Sequence, residues 1–296
     1  YTVTVDNGVG TLNNYISGTP IPVSPGATTT YAIVGNVTDA NGCTATSTQT
    51  IAQPNSPTIT AVVTTSVDCN GGNNGSLTLT ATGGLGALNY NLQPVNQNNA
   101  TGIFTNLAAG VYTMTVADAN GCTISSTATI IEPTILSWTA TATTDVNCNG
   151  GNDGTLTATA TGGTGIINYN LQPTNQTNNT GLFTNLTAGT YTVTATDANG
   201  CTLTTTLVIN QSPALTWTQN TATNITCNGG IDGSITTTAT GGTGIINYNL
   251  QPTNQTNNTG LFTNLAANTY TILATDANGC TISTTLAITE PTLLSI

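Results

Sequence analysis

The sequence predicts an all-β chain, a tandem array of small β-sandwiches of about six strands each, and three observations carry that prediction. Cys69, Cys148 and Cys227 are spaced 79 residues apart, as are Cys122, Cys201 and Cys280. A fixed period of that length means repeated small domains rather than one large core. Apolar and polar residues alternate in short, Thr-rich segments, and no segment shows a helical period. Clusters of Gly, Asn, Asp and Pro break these segments at intervals of roughly 8–12 residues, the spacing of sandwich strands.

Residues 133–211 serve as the type repeat. Between Thr155 and Thr161, Leu156, Ala158 and Ala160 face one way and threonines the other, as in a strand with one buried face. Further strands are predicted at 138–146, 166–172, 181–186, 190–196 and 201–209. Leu186-x-x-Gly189-x-Tyr191 recurs around Tyr112 and Tyr270, with Asn268 in place of the glycine. A Leu, a residue able to take positive φ and a strand-opening Tyr resemble the tyrosine corner of immunoglobulin-like domains. The sandwiches are therefore expected to be Ig-like.

Seven cysteines, no histidine and no C-x-x-C pair point to structural disulfides rather than a zinc or redox site. Disulfides persist in oxidising compartments, so an extracellular protein is expected. The predicted pairs lie within repeats: Cys69–Cys122, Cys148–Cys201 and Cys227–Cys280. Such pairing needs an even number of strands between the two cysteine turns, and four are read, giving six per repeat. Closing a loop of this size contributes about 4 kcal/mol in the chain-entropy model. Cys43 occupies the same Asp-Ala-Asn-Gly-Cys turn as Cys122, and its partner is expected outside the chain.

The expected organisation is 1–53, the back part of a divergent sandwich; 54–132, 133–211 and 212–290, three full repeats; and 291–296, the start of another. On this reading the chain is a window onto a longer array whose first partners are further repeats of the same polypeptide. Pro-containing junctions without a Gly/Ser spacer predict a stiff or semi-stiff rod.

Composition excludes several functions. The chain has no Lys, Arg or His, so it lacks the cations that nucleic-acid binding requires. Without His or Lys the usual general bases and nucleophile activators are missing, and no enzyme is expected. No apolar run reaches the roughly 18 residues of a membrane-crossing helix, so no membrane insertion is expected. A formal charge of -11 leaves Ca²⁺ as the natural counterion.

Two groups of residues carry competing readings. Asp145, Asn149, Asp153 and Asp197 would meet at one end of a sandwich beside the expected cystine, as an oxygen-only Ca²⁺ site; the same residue types are what tight turns need for themselves. Tyr90, Tyr169 and Tyr248, with Trp138 and Trp217, recur once per repeat or nearly so. They form either an exposed row for contact with a glycan or other external surface, or part of the core.

Four motifs recur in fixed order: Cys-Asn-Gly-Gly-x-x-Gly from Cys69, Cys148 and Cys227; Ala-Thr-Gly-Gly from Ala81, Ala160 and Ala239; Leu-x-x-Gly-x-Tyr; and Asp-Ala-Asn-Gly-Cys. This set resembles the SprB repeat, a family of very large surface adhesins of gliding Bacteroidota. The resemblance covers residues 57–290 closely and the first 53 only through the final hairpin. Asn74 departs from it where Asp153 and Asp232 stand. It implies type IX secretion, display at the cell surface and a role in adhesion or gliding, and it supplies no catalytic residue. The expected function is a stalk segment of a secreted adhesin or filament. The alternatives are a multivalent glycan- or surface-binding array and a subunit of a self-assembling multi-chain fibre.

Overall fold

The computed structural model describes residues 55–294 and, before them, only the backbone of six strands: β1 (Val3–Val5), β2 (Gly10–Leu12), β3 (Thr29–Val34), β4 (Val37–Thr38), β5 (Thr44–Ala45) and β6 (Thr48–Ile51). Cys43 lies outside the described residues. The chain forms two compact units, Tyr1–Glu132 and Pro133–Ile296, treated separately below.

The second unit contains two sandwiches of the same plan. The first comprises β14 (Thr134–Thr144), β15 (Gly154–Gly163), β16 (Asn168–Gln172), β17 (Gln176–Asn178), β18 (Leu182–Leu186), β19 (Gly189–Thr196) and β20 (Thr202–Ile209). One sheet has the order β14-β15-β18 and the other β17-β16-β19-β20. The next sandwich repeats this with β21 (Thr216–Thr223), β22 (Gly233–Thr240), β23 (Asn247–Gln251), β24 (Gln255–Asn257), β25 (Leu261–Leu265), β26 (Asn268–Thr275) and β27 (Thr281–Ile288). Within the first unit, β7 (Pro57–Thr65), β8 (Gly75–Gly83), β9 (Asn89–Gln93), β10 (Gln97–Asn99), β11 (Ile103–Leu107), β12 (Gly110–Ala117) and β13 (Thr123–Ile130) build the same two sheets. All these pairings are antiparallel, and the described chain is all-β.

Alternation sets the inward faces. Leu156 and Ala158 of β15, Leu171 of β16, Phe183 and Leu186 of β18, Val193 and Ala195 of β19 and Ile209 of β20 meet between the sheets. Each large aliphatic or aromatic side chain buried there contributes roughly 1.5–3 kcal/mol. Thr192 and Thr206 face outward and approach at 3.4 Å between hydroxyls across β19 and β20. The outer face thus stays wettable without charge.

Each repeat has seven strands, one more than the six read from the sequence. The addition is the three-residue strand β17, with β10 and β24 as its equivalents. It pairs with β16 as a hairpin whose turn includes a cis Gln172–Pro173 bond and Asn175 at φ 55°. Five strands, β15 to β19, therefore separate Cys148 from Cys201. An odd number places them at opposite ends of the sandwich.

Candidate functional site at the junction of two repeats

The consequence is a different disulfide. Cys148 pairs with Cys280 of the next repeat, across a sequence separation of 132 and a Cα–Cα distance of 5.5 Å. The expected pairs Cys148–Cys201 and Cys227–Cys280 do not form. Cys69–Cys122 does not form either, since Cys122 is a free thiol. Cys227 is also free, whereas Cys69 and Cys201 are disulfide-bonded. The sandwiches in the second unit are thus joined to one another rather than each being clamped on itself.

The two loops that meet there are built independently. The β14–β15 connection lies beside the end of its own repeat: Val146 N–H donates to Asn210 O (2.9 Å), and Asn210 N–H to Asp145 Oδ1 (2.8 Å). Gly150 N–H donates to Gln211 Oε1 (2.7 Å), Asn149 Nδ2 to Ser212 O (3.0 Å) and Ser212 Oγ to Asn147 O (3.1 Å). Asp153 closes the loop by accepting from Asn147 N–H at 3.1 Å and from its carboxamide. Val146, only 3% exposed, roots the loop in the core.

At the opposite end of each sandwich, an aspartate organises the cysteine turn. Asp276 Oδ1 accepts from the N–H groups of Asn278 (3.0 Å) and Cys280 (2.8 Å), while Oδ2 accepts from Thr243 N–H (2.8 Å) in the β22–β23 loop. Asp197 does the same with Asn199, Cys201 and Thr164, and Asp118 with Asn120, Cys122 and Leu85. Burial pushes the Asp197 and Asp276 carboxyls up, but four backbone N–H donors around each outweigh it and hold them below the usual range. For Asp118 the Leu85 N–H is the strongest influence, and it too is held low. Asp232 is lowered chiefly by the Thr226 hydroxyl.

The linker between the repeats is gripped from both sides. Asn210, Gln211 and Ser212 are bonded to the β14–β15 loop, and Pro213 O accepts from Gly242 N–H (2.8 Å) of the next repeat. Asn278 Nδ2 donates across the junction to Asn147 O (3.1 Å). Beside the cystine lies an open cleft of about 350 Å³, lined by Asn149, Ser212, Pro213, Leu215 and Ile282 among others.

This arrangement does not gather the expected Ca²⁺ ligands. Asp145, Asn149 and Asp153 sit at one end of the sandwich and Asp197 at the other, and each aspartate's oxygens accept hydrogen bonds from the turn or linker beside it. Among the described residues no three His, Cys, Asp or Glu side chains group as a metal site. The four residues expected to hold the ion therefore do not form one site.

The aromatic row is likewise internal. Tyr90, Tyr169 and Tyr248 are 6%, 4% and 5% exposed, which removes them as surface contacts. Tyr169 Oη accepts from Ala160 N–H (2.9 Å), and the half-buried Trp138 packs on its ring at a centroid distance of 6.4 Å. Trp217 packs on Tyr248 in the same way, at 6.2 Å. Tyr112, Tyr191 and Tyr270 each donate to the backbone carbonyl four residues upstream, on Ala108, Thr187 and Ala266 at 3.0, 2.9 and 3.1 Å. That is the bond of a tyrosine corner.

Sequence reasoning overlooked Gln211 and its equivalents Glu132 and Glu290, whose side chains accept from Gly150, Gly71 and Gly229 N–H. Their spacing at the repeat period was the available signal.

Among solved structures the chain is similar to the N-terminal eight Ig domains of Down syndrome cell adhesion molecule, with 14% identity over 90% of this chain and 40% of that one, at a TM-score of 0.38. It is also similar to a Ca²⁺-stabilised, ice-binding adhesin of an Antarctic bacterium, with 18% identity over 89% of this chain and 81% of that one, at a TM-score of 0.37. At such scores neither carries an argument about function. A comparison with curated proteins finds no match. The SprB repeat family model matches residues 61–97, 140–176 and 219–255, each segment running from the first strand of a sandwich through the β16-type hairpin turn. Three segments of the chain thus match the SprB repeat, one in each described sandwich.

Proposed function

We propose that this chain is a stalk segment of a secreted cell-surface adhesin, holding a binding element away from the cell and serving surface adhesion or gliding after type IX secretion. The carrying observation is the closed junction. A linker bonded to both neighbours and bridged by Cys148–Cys280 resists hinging, which a spacer needs and an isolated binding module does not. The carboxylates bonded within turns support a structural rather than catalytic role. The match of three segments to the SprB repeat supports placement outside the cell.

The multivalent-binding alternative loses three of its five proposed contact residues, because Tyr90, Tyr169 and Tyr248 are buried, and the other two, Trp138 and Trp217, are half-buried. Adhesion competition separates the two. Soluble chain added in excess should leave attachment of the producing cells unchanged if the repeats are spacers, and antibodies to the repeats should label intact cells. Competition by the soluble chain, or absence of surface labelling, would overturn the stalk reading.

A further inference from the structure

The hairpins β9–β10, β16–β17 and β23–β24 carry the same three amides. In the β16–β17 hairpin, Gln172 Nε2 donates to Asn170 Oδ1 and to Asn175 Oδ1, at 3.0 Å each, while Asn170 Nδ2 donates to Asn175 Oδ1 (3.1 Å). Gln251 bridges Asn249 (2.7 Å) and Asn254 in the same way, and Gln93 bridges Asn91 (3.3 Å) and Asn96 (3.0 Å). Asn96, Asn175 and Asn254 stand in the turn at φ 52°, 55° and 54°. The first repeat keeps its triad although Val95, Asn98 and Ala100 stand where the second has Thr174, Thr177 and Asn179.

The bonding within a triad is one-sided. Both asparagine carbonyl oxygens are taken up by Gln172, but Gln172 Oε1 and the carboxamide N–H groups of Asn175 bond to no other group among the described residues, and both side chains are exposed. An acceptor and a donor pair thus stand together, fixed before any ligand arrives. Alternation turns Asn170 and Gln172 to the outer face of their sheet, where Thr194 and Thr192 are their register partners and the Thr206 hydroxyl lies 3.4 Å from that of Thr192. Every described carboxylate lies outside the strands and the chain has no cation, so this face is neutral.

We propose that the hairpin triads are weak binding sites for a neutral polysaccharide, one site in each repeat. Neighbouring hydroxyls of a sugar ring each donate and accept, so a vicinal diol meets Gln172 Oε1 with one and Asn175 Nδ2 with the other. A charged polymer finds no counterion on this face, and an extended peptide would seek a strand edge rather than the face of a sheet. The amides are already held by one another, so binding orders little on the protein side. One triad makes few bonds, each of small net worth; repetition along the array sums them on a polymer that repeats its own hydroxyls. This goes beyond the stalk reading, which is tested on whole cells and stands or falls separately.

The test is affinity electrophoresis of the full chain through native gels containing dextran, galactomannan or xyloglucan, with alginate as the anionic control. Retardation by at least one neutral polymer and none by alginate is expected. Asn96→Asp, Asn175→Asp and Asn254→Asp together keep the Oδ1 that staples each turn, and aspartate tolerates positive φ, but they replace the outward N–H groups by an oxygen. They should weaken retardation by about tenfold and leave the melting temperature unchanged. Asn179→Asp with Asn258→Asp, which add charge on the neighbouring loop outside the triads, should migrate as the wild type does. The fully O-methylated form of the retarding polymer, which has no hydroxyl to donate, should not retard the wild type. Unretarded passage through all three neutral gels, equal retardation of the triad variant, or retardation by the methylated polymer would overturn the proposal.

Discussion

The two cysteine-bearing loops of residues 133–211 are close in composition and opposite in task. The β14–β15 loop, Asp145 to Asp153, bonds to the chain leaving its own repeat, through Asn210, Gln211 and Ser212. The turn from Asp197 to Cys201 is bound instead by its own aspartate to the β15–β16 loop at the far end of the sandwich. Asn, Gly, Asp and Cys thus say that a turn is present, but not at which end it sits. Where loops lie is fixed by how many strands run between them, and cross-linking of neighbours rather than of one fold follows from that count.

The largest effect that separates the two arrangements is expected from the cystine. In the chain-entropy model, closing the 132-residue separation between Cys148 and Cys280 contributes about 5 kcal/mol. Cys148→Ser and Cys280→Ser should therefore each lower the calorimetric melting temperature by about 10 °C and split the joint unfolding of the two repeats into separate steps. Cys122→Ser and Cys227→Ser should change neither. If wild-type protein melted identically with and without reductant, the junction would not be a cross-link.

Next in size is a pair of glycine substitutions at the Asp197 end. Gly163 has φ +65°, and a Cβ there would press on Leu136 Cδ1 and stand 2.6 Å from Asp197 Oδ2, in the bond that ties turn to loop. Gly163→Ala should cost about 3 kcal/mol in denaturant unfolding, from a strained conformation plus a displaced carboxylate. Gly200, at φ +86° with nothing within 4 Å, should cost only about 1 kcal/mol as alanine. Equal costs would mean that the Asp197 bond does not organise this end.

Acid should act on the aspartate-capped ends. The carboxyls of Asp118, Asp197, Asp232 and Asp276 are lowered by folding, so their contribution is complete above the unfolded value, about 3.9. It is lost as pH falls through the folded values. Thermal stability should accordingly be flat from neutrality to about pH 5 and decline below pH 4. Asp197→Asn should flatten part of that decline; an unchanged acid profile would contradict the capping role.

The smallest effect is expected at the corner between the sheets. Tyr191→Phe removes one hydroxyl donated to Thr187 O and should cost about 1 kcal/mol, with cystine pairing untouched.

Repetition, alternation and the tyrosine motif made the sandwich legible from the residues: Leu156, Leu171, Val193 and Tyr191 are inside, as a period of two requires. The Asp-Ala-Asn-Gly-Cys turn was equally plain. What escaped was Gln176–Asn178, a strand of three polar residues with no alternation to betray it, held in register only by its pairing with β16. That omission changed an odd strand count to an even one and so predicted the wrong cystine partners and a false meeting of Asp145, Asn149, Asp153 and Asp197.

The sequence by itself determined the repeat, the all-β sandwich, the inward residues and the absence of cationic chemistry, because these follow from local periodicity and composition. Only the tertiary structure decided which loops share an end, and hence that Cys148 reaches Cys280. Proximity between distant loops depends on the sum of every intervening chain reversal, so a single short hairpin redirects it.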